Sequence, residues 1–337
     1  MTAKRPTLED IAKVAGVSRA TVSLVVRNSP LVADQTRQRV AQVMADLDYV
    51  RNIGAAKLRS NNSHTIGVVV PNLVNSFFTE FLGGVEHVMG QHDRVVLLAN
   101  SKDDPHIQDE ILQRFRGHGV DGVILCPAEG TQTDLPQRMR SWGLPLVQAL
   151  RHVGGDQTDY AGADYVNGVG LALRYLVELG HKRIAFLSVP AHTSARDDRL
   201  RGFHLALQET GAENAGILEA DLKWGGAGGA VDALMALPTK PTAVLCFNDV
   251  LAAGLMLDLR RAGYKPGRDI SVIGLDDLPM AELAFPPLTT VAMHPNLIGA
   301  GAARLLARRL AEPDAVPDHY TQAPNFVARE SVADLRA

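Results

Sequence analysis

Polar and aromatic side chains recur where apolar runs end, and their types fix the chemistry open to them. Asn75, Phe77 and Phe78 follow TIGVVVP, and Arg196 and Arg199 follow RIAFLSVP. Asn248 and Asp249 close AVLCFND, and Asp276 and Asp277 close ISVIGLDD. A carboxylate, a guanidinium and an amide can grip vicinal hydroxyls or a purine edge, while an aromatic face covers them. Asp249 and Asp277 are equally suited to capping the helices that follow, and Arg199 to pairing within its own half of the chain. Catalytic signatures are missing: there is no G-x-x-x-x-G-K-[ST] loop, no H-E-x-x-H helix and no G-x-S-x-G elbow, and the eleven histidines are scattered. NGVGLAL lacks the full dinucleotide fingerprint, and WGGAGGA reads as a flexible approach to a helix. The expectation is binding without catalysis, and without a metal or cofactor.

The elements that must position these residues alternate. TIGVVVP, RVVLLAN, GVILCP, LPLVQAL, RIAFLSVP, AVLCFND and ISVIGLDD read as buried parallel strands. Between them FTEFLGGVEHVMGQ, IQDEILQRFRGHG, NGVGLALRYLVELG and VLAAGLMLDLRRAG have helical spacing. Such β–α alternation predicts doubly wound parallel sheets. TIGVVVP is echoed by RIAFLSVP about 120 residues later, as GVILCP is by AVLCFND, so two lobes of one type are expected, with a cleft at the carboxyl ends of their strands.

Residues 1–60 read differently. Leu8, Ile11, Ala12 and Ala15 have helical spacing behind Thr7 as N-cap, with Asp10 three residues on. Gly16 permits a left-handed stop, Ser18 caps a second helix with Val22, Val25 and Val26 inward, and a third helix after Asp34 offers Val40, Val43, Met44 and Leu47. That is a helix-turn-helix in a three-helix head. Its second helix would enter a major groove with Ser18, Arg19, Ala20, Ser23 and Leu24 toward base edges, while Thr21, Arg27 and Asn28 hold phosphates.

Charge supports the division. The formal total is −3, but residues 1–60 hold ten basic and five acidic side chains, against 24 and 32 over the remainder. A head of +5 on a body of −8 suits contact with a polyanion through the head alone. No leader-like apolar run opens the chain and no stretch approaches a bilayer span, so a cytoplasmic protein is expected, with Cys126 and Cys246 as buried thiols.

The stretch from TLEDIAKVAGVSRATVSLVV to NIGAAKLRS resembles the head of the lactose-repressor/galactose-repressor (LacI/GalR) family of bacterial transcription regulators, in register for about sixty residues. The resemblance continues through PNLVNSFF, HGVDGVILCP, ELGHKRIAFL, FNDVLAAG, ISVIGLDD, FPPLTTV and VARES, the last matching the family's final strand. It implies a helix-turn-helix over 1–50, a hinge over 51–62 and a body over 63–337 like periplasmic sugar-binding proteins, crossing between lobes near Tyr160, Val291 and Asn325. Lobe 1 would hold about 63–160 and 291–324, and lobe 2 about 161–290 and 325–337.

The resemblance further implies a homodimer on a pseudo-palindromic operator. Thr7, Asn52 and Ala55 would join the DNA contacts, and Leu58 would wedge a central minor-groove step. It places Arg196, Asn248 and Asp276 on a small carbohydrate-like effector and packs Trp224 on it, with Arg151 also near. FTEFLGGVEHVMG, through Phe81, Val85, Val88 and Met89, is the candidate dimer surface. The chain departs from the family at Leu24, where many members have arginine, at Arg51, where proline is usual, and at Leu150, where an aspartate often precedes the arginine. A repressor controlled by a metabolite is therefore expected; a solute-binding protein or an enzyme on the same scaffold is the alternative.

Overall fold

The computed structural model describes residues 6–26, 29–49, 62–220 and 229–336. The chain divides into two compact units, Met1–Ser63 and His64–Ala337.

The first unit holds α1 (Leu8–Ala15), α2 (Arg19–Val26) and α3 (Asp34–Asp46). Thr7 and Asp10 form a reciprocal capping box: the Thr7 hydroxyl accepts from Asp10 N at 3.3 Å, and Asp10 Oδ2 accepts from Thr7 N at 2.8 Å. Gly16 ends α1 at φ 65°, a conformation that costs a side-chain-bearing residue energy. Ile11, Ala12, Ala15, Val22, Val40 and Val43 form the core, with Val25, Val26, Met44 and Leu47 packed against it.

In the second unit, β1 (Thr65–Val70), α4 (Ser76–Gln91), β2 (Val95–Asn100), α5 (Pro105–His118), β3 (Gly122–Leu125), α6 (Leu135–Ser141), β4 (Leu146–Ala149) and β5 (Asp159–Ala163) build lobe 1. The chain leaves this sheet after Ala163, because Tyr160, near which a crossing was expected, is paired inside it opposite His319 and Gln148. Lobe 2 follows: α7 (Tyr165–Glu178), β6 (Arg183–Ser188), α8 (Ser194–Thr210), β7 (Glu213–Glu219), α9 (Ala230–Ala236), β8 (Ala243–Cys246), α10 (Asp249–Arg261), β9 (Ser271–Ile273) and α11 (Pro279–Leu283). The chain then returns through β10 (Thr290–Ala292) to α12 (Pro295–Ala311) and β11 (His319–Gln322) in lobe 1, and crosses again in β12 (Asn325–Val327).

Lobe 1 is a six-stranded parallel sheet, ordered β11-β5-β4-β3-β1-β2, and lobe 2 a four-stranded parallel sheet, ordered β7-β6-β8-β9. β10 and β12 pair antiparallel as a ribbon, and isolated bridges join it to lobe 2 at Ile273–Thr289 and Asp276–Ala292. Only Val327 of VARES is in a strand; the tail beyond it is fixed by backbone bonds such as Val272 N to Ser331 O and by the Ser331 side chain, whose Oγ donates to Val272 O and accepts from Thr289 N.

The four side chains offered as a dimer surface face inward instead. Phe81, Val85, Val88 and Met89 of α4 are buried in the core of this same chain. The cause is a close crossing with α12, in which a Cβ on Gly84 would collide with Asn296 O and one on Gly299 with Phe81 O. Exposed apolar residues lie elsewhere, on edge strand β2 (Val95, Leu97, Leu98) and around α11 (Leu283, Phe285). Both cysteines are buried, and burial raises the Cys126 thiol pKa to about 12. Among the described residues, no helix is long and apolar enough to cross a membrane, and no group of His, Cys, Asp or Glu could hold a metal ion.

Candidate ligand cleft and nucleic-acid interface

Asp276 lies just beyond β9, in a backbone conformation (φ 124°) that non-glycine residues rarely adopt. The strain is held from both sides by the ribbon: Asp276 N donates to Val291 O at 2.8 Å, and Met293 N donates to Asp276 O at 3.4 Å. Its carboxyl is buried, and Oδ1 has no hydrogen-bond partner among the described residues. Burial pushes the carboxyl well above the usual range; Arg199 pulls it back, while Asp249 and Glu80 push it further up. A buried acceptor without a donor is costly, and a ligand hydroxyl or a water that donates to it removes that cost.

Arg199 is the cation beside it. It belongs to the inward stripe of α8, with Ala195, Gly202, Phe203, Ala206 and Leu207. Two carbonyls fix the guanidinium, Nε donating to Phe247 O at 3.0 Å and Nη1 to Ala195 O at 2.8 Å. The ring centroids of Tyr165 and Phe247 lie 3.7 and 4.1 Å from it. Burial also raises the Tyr165 hydroxyl, against the pull of Arg199. Arg196, three residues earlier, is occupied within lobe 2: Nε donates to Val189 O at 2.9 Å, and Nη2 pairs with Glu219 at 2.5 Å. Asn248 is the N-cap of α10, accepting from Leu251 N at 3.0 Å.

Asp249 is fully buried behind these groups. Its Oδ2 accepts from Leu278 N at 2.8 Å and its Oδ1 from Thr290 Oγ1 at 2.5 Å, so it ties the Asp276 loop to the ribbon. Burial raises its pKa to about 7, against both hydrogen bonds. Asp277 pairs with Arg329 at 2.7 Å, beyond β12.

Lobe 1 supplies the opposite wall. Asn75 caps α4 by accepting from Phe77 N at 3.0 Å; Phe77 is buried and Phe78 half-buried, their rings edge to face at 5.7 Å. Glu80, one turn along, has a raised pKa from burial and from the charge of Asp277, which sets the start of α4 near the acidic loop of lobe 2. Arg151 follows Leu150 after β4 and meets Asp103 through Nη1 at 2.6 Å and Nη2 at 3.2 Å. The lobes also touch directly: His192 N donates to Glu129 Oε1 at 2.7 Å, and His152 N to Ser194 Oγ at 2.9 Å.

The structure therefore gathers Asp276, Arg199, Tyr165, Phe247 and Asp249. Asn75, Arg196 and Asn248 are engaged as caps or in an ion pair. Trp224 lies outside the described residues. Tyr165, Phe247, Glu80 and Asp103 were not singled out by sequence. Tyr165 follows a strand, β5, too short and polar to notice, whereas Arg199 was detectable as a member of the apolar stripe of α8.

In the head, Arg19 and Ala20 are exposed at the start of α2, and Ser23 and Leu24 are half-buried. Ser18 Oγ accepts from Thr21 N at 3.1 Å and lies 2.9 Å from Thr21 Oγ1, which ties both hydroxyls to the cap of α2. Thr7 is likewise committed to capping α1. Arg27, Asn28, Arg51, Asn52, Ala55 and Leu58 lie outside the described residues.

Comparison with known proteins agrees with both halves. Residues 7–52 match the model of bacterial regulatory proteins of the lacI family, and residues 173–332 match a periplasmic binding protein-like domain. An HTH-type transcriptional repressor PurR of Vibrio atlanticus is 32% identical over 341 residues, covering 98% of this chain and 99% of the relative. The corresponding repressor of Photobacterium profundum is 31% identical, with the same coverage. Among solved structures, the lac repressor dimer bound to operator and the anti-inducer ONPF superposes with a TM-score of 0.86 at 28% identity, covering 98% of this chain and 100% of that one. The regulator CelR in complex with cellobiose gives 0.72 at 29%, covering 97% and 100%. With a repressor's helix-turn-helix ahead of a two-lobed binding body, and relatives matched nearly end to end, the chain belongs to the LacI family of bacterial transcriptional regulators.

Proposed function

We propose that this regulator is a cytoplasmic homodimeric repressor whose affinity for a pseudo-palindromic operator is set by a small polyhydroxylated metabolite held between its lobes. The observation that carries the reading is the unpartnered Oδ1 of Asp276, buried beside Arg199. A hydroxyl donating to that oxygen and accepting from an arginine satisfies both groups at once. Tyr165 and Phe247 offer apolar ring surface next to it. The related regulators solved with cellobiose and with ribose support a carbohydrate-like ligand. Within the cleft, the geometry favours Arg199 over Arg196, because Glu219 already occupies the latter.

The route to DNA follows from where Asp276 is anchored. Its backbone is bonded to β10 on both sides, and Asp277 is paired with Arg329 beyond β12. A ligand that moves Asp276 thus acts on two inter-lobe crossings, and the resulting change in lobe separation alters operator affinity by the coupling free energy. In the head, Arg19 and Ala20 read bases, with Ser23 and Leu24 behind them, and residues 51–62, Leu58 included, form the hinge and its minor-groove wedge. The exposed apolar residues Val95, Leu97 and Leu98 on edge strand β2, with Leu283 and Phe285, supply the dimer contact.

The test is a thermal-shift screen of the full chain and of Asp276→Ala against sugars, sugar acids, polyols and nucleobases. At least one hydroxylated compound should raise the melting temperature of the wild type and leave the variant unmoved. A shift that survives in the variant, or a panel without a stabilising member, contradicts the reading.

A further inference from the structure

Two hydrogen bonds join the lobes across the mouth of the cleft, and both end on one turn. Residues 192–194 lead into α8, with Thr193 as its N-cap. His192 N donates to Glu129 Oε1 at 2.7 Å, and Ser194 Oγ accepts from His152 N at 2.9 Å. Glu129 follows β3, and His152 follows β4. β3 lies two strands from β5, where the chain leaves lobe 1, and β6, which precedes the turn, lies two strands from β9, beside the ribbon. On lobe 1 the Glu129 contact therefore acts about 10 Å from the crossing, a lever arm of two strand spacings, and the His152 contact about one spacing from it.

Glu129 is itself fixed from behind. Asp103 Oδ1 accepts from Glu129 N at 3.0 Å and from Arg151 Nη1 at 2.6 Å, and Arg151 Nη1 also donates to Pro127 O at 3.3 Å. One ion pair thus holds the backbone on both sides of Ala128 and presents the Glu129 side chain to lobe 2. The receiving turn starts α8, whose amino-terminal end favours a carboxylate and whose second turn carries Arg199.

We propose that Glu129, buttressed by the Asp103–Arg151 pair, is the latch of the closed cleft: it holds the cap turn of α8 and so sets the position of Arg199 against lobe 1. The inference rests on the reading of this cleft as the effector site and names the positioning residue that controls its closure. Opening the lobes must break the Glu129 and His152 bonds together, because both end on the same turn.

Residue-resolved hydrogen exchange of the full chain tests this without an effector. Glu129→Ala should speed exchange of the His192 amide by about tenfold, and of the His152 amide as well, although the latter does not touch Glu129. Glu129→Gln keeps a carbonyl acceptor and should restore protection at both. The proposal is overturned if the His152 amide is unmoved in Glu129→Ala, if Glu129→Gln exchanges as fast as the alanine variant, or if all of lobe 2 speeds up uniformly. Effector binding by Asp276 is read separately, so either result can fail while the other stands.

Discussion

Arg151 in lobe 1 and Arg199 in lobe 2 both bring a guanidinium to the cleft, but their charges are answered differently. Arg151 meets a carboxylate end-on, with Asp103 2.6 and 3.2 Å from its two terminal nitrogens. Arg199 meets no carboxylate at ion-pair distance among the described residues, being held by carbonyls and by the Tyr165 and Phe247 side chains, and the nearby carboxyl of Asp276 keeps an oxygen without a partner among those residues. Lobe 1 uses its ion pair internally, to shape the loop that reaches across the mouth. Lobe 2 leaves its hydrogen-bonding capacity unmet, which raises the cost of the empty arrangement and the gain from a ligand. The same pair of residue types is structural on one wall and receptive on the other.

Substitutions on the two walls should separate accordingly. Asp276→Ala should weaken binding of a stabilising ligand by roughly 0.5–1.5 kcal/mol in calorimetry, the range for a single hydrogen bond. It should leave thermal stability equal or higher, because a buried carboxyl without a partner is removed. Asp103→Asn should do the reverse: a stability loss of about 1 kcal/mol, discounted because both side chains are partly exposed, with a smaller change in affinity. If both variants behave alike, the contrast between the walls is wrong.

Acidity provides a gentler probe. The pKa of Asp249 is raised in the fold to about 7, so the native state holds this proton more tightly than the unfolded chain. Its contribution to stability is fully present below the unfolded value near 3.8 and is lost as pH rises toward 7. Melting curves between pH 5 and 7 should be less steep in Asp249→Asn than in the wild type, by at most about 1.4 kcal/mol per pH unit, with the slope due to Asp276 remaining. Ser18→Ala is the smallest change and the control, removing the cap of α2 at a cost of about 0.5–1 kcal/mol to the head. Operator affinity should fall in that variant and ligand affinity stay constant.

Much of the fold is legible in sequence because burial and period coincide. The seven apolar runs are strands, six of them buried as expected and RVVLLAN an accessible edge strand instead, and Thr7, Gly16 and Ser18 delimit the head helices through local hydrogen bonds and one left-handed residue. The strands that escaped notice are weak for identifiable reasons. β7 has an irregular register against Ile184 and Ala185 of β6 and mostly accessible residues, β11 is a polar edge strand, and β10 has three residues. The site was legible at Asp276 and ambiguous at the arginines. Arg196 and Arg199 share one helix at a spacing of three, and only the full stripe from Ala195 to Leu207 distinguishes the inward one. The apolar face of α4 was misread as an outer surface because its partner, α12, arrives some two hundred residues later, and glycines rather than large side chains make the contact.

The central claim is that a ligand reaches DNA through Asp276. Its most direct test is an operator titration of this chain, wild type and Asp276→Ala, with and without a ligand that stabilises the wild type. The ligand should change wild-type operator affinity by about tenfold or more, a coupling of at least about 1.4 kcal/mol, and leave the variant's affinity where it was. An equal change in both proteins would contradict the account.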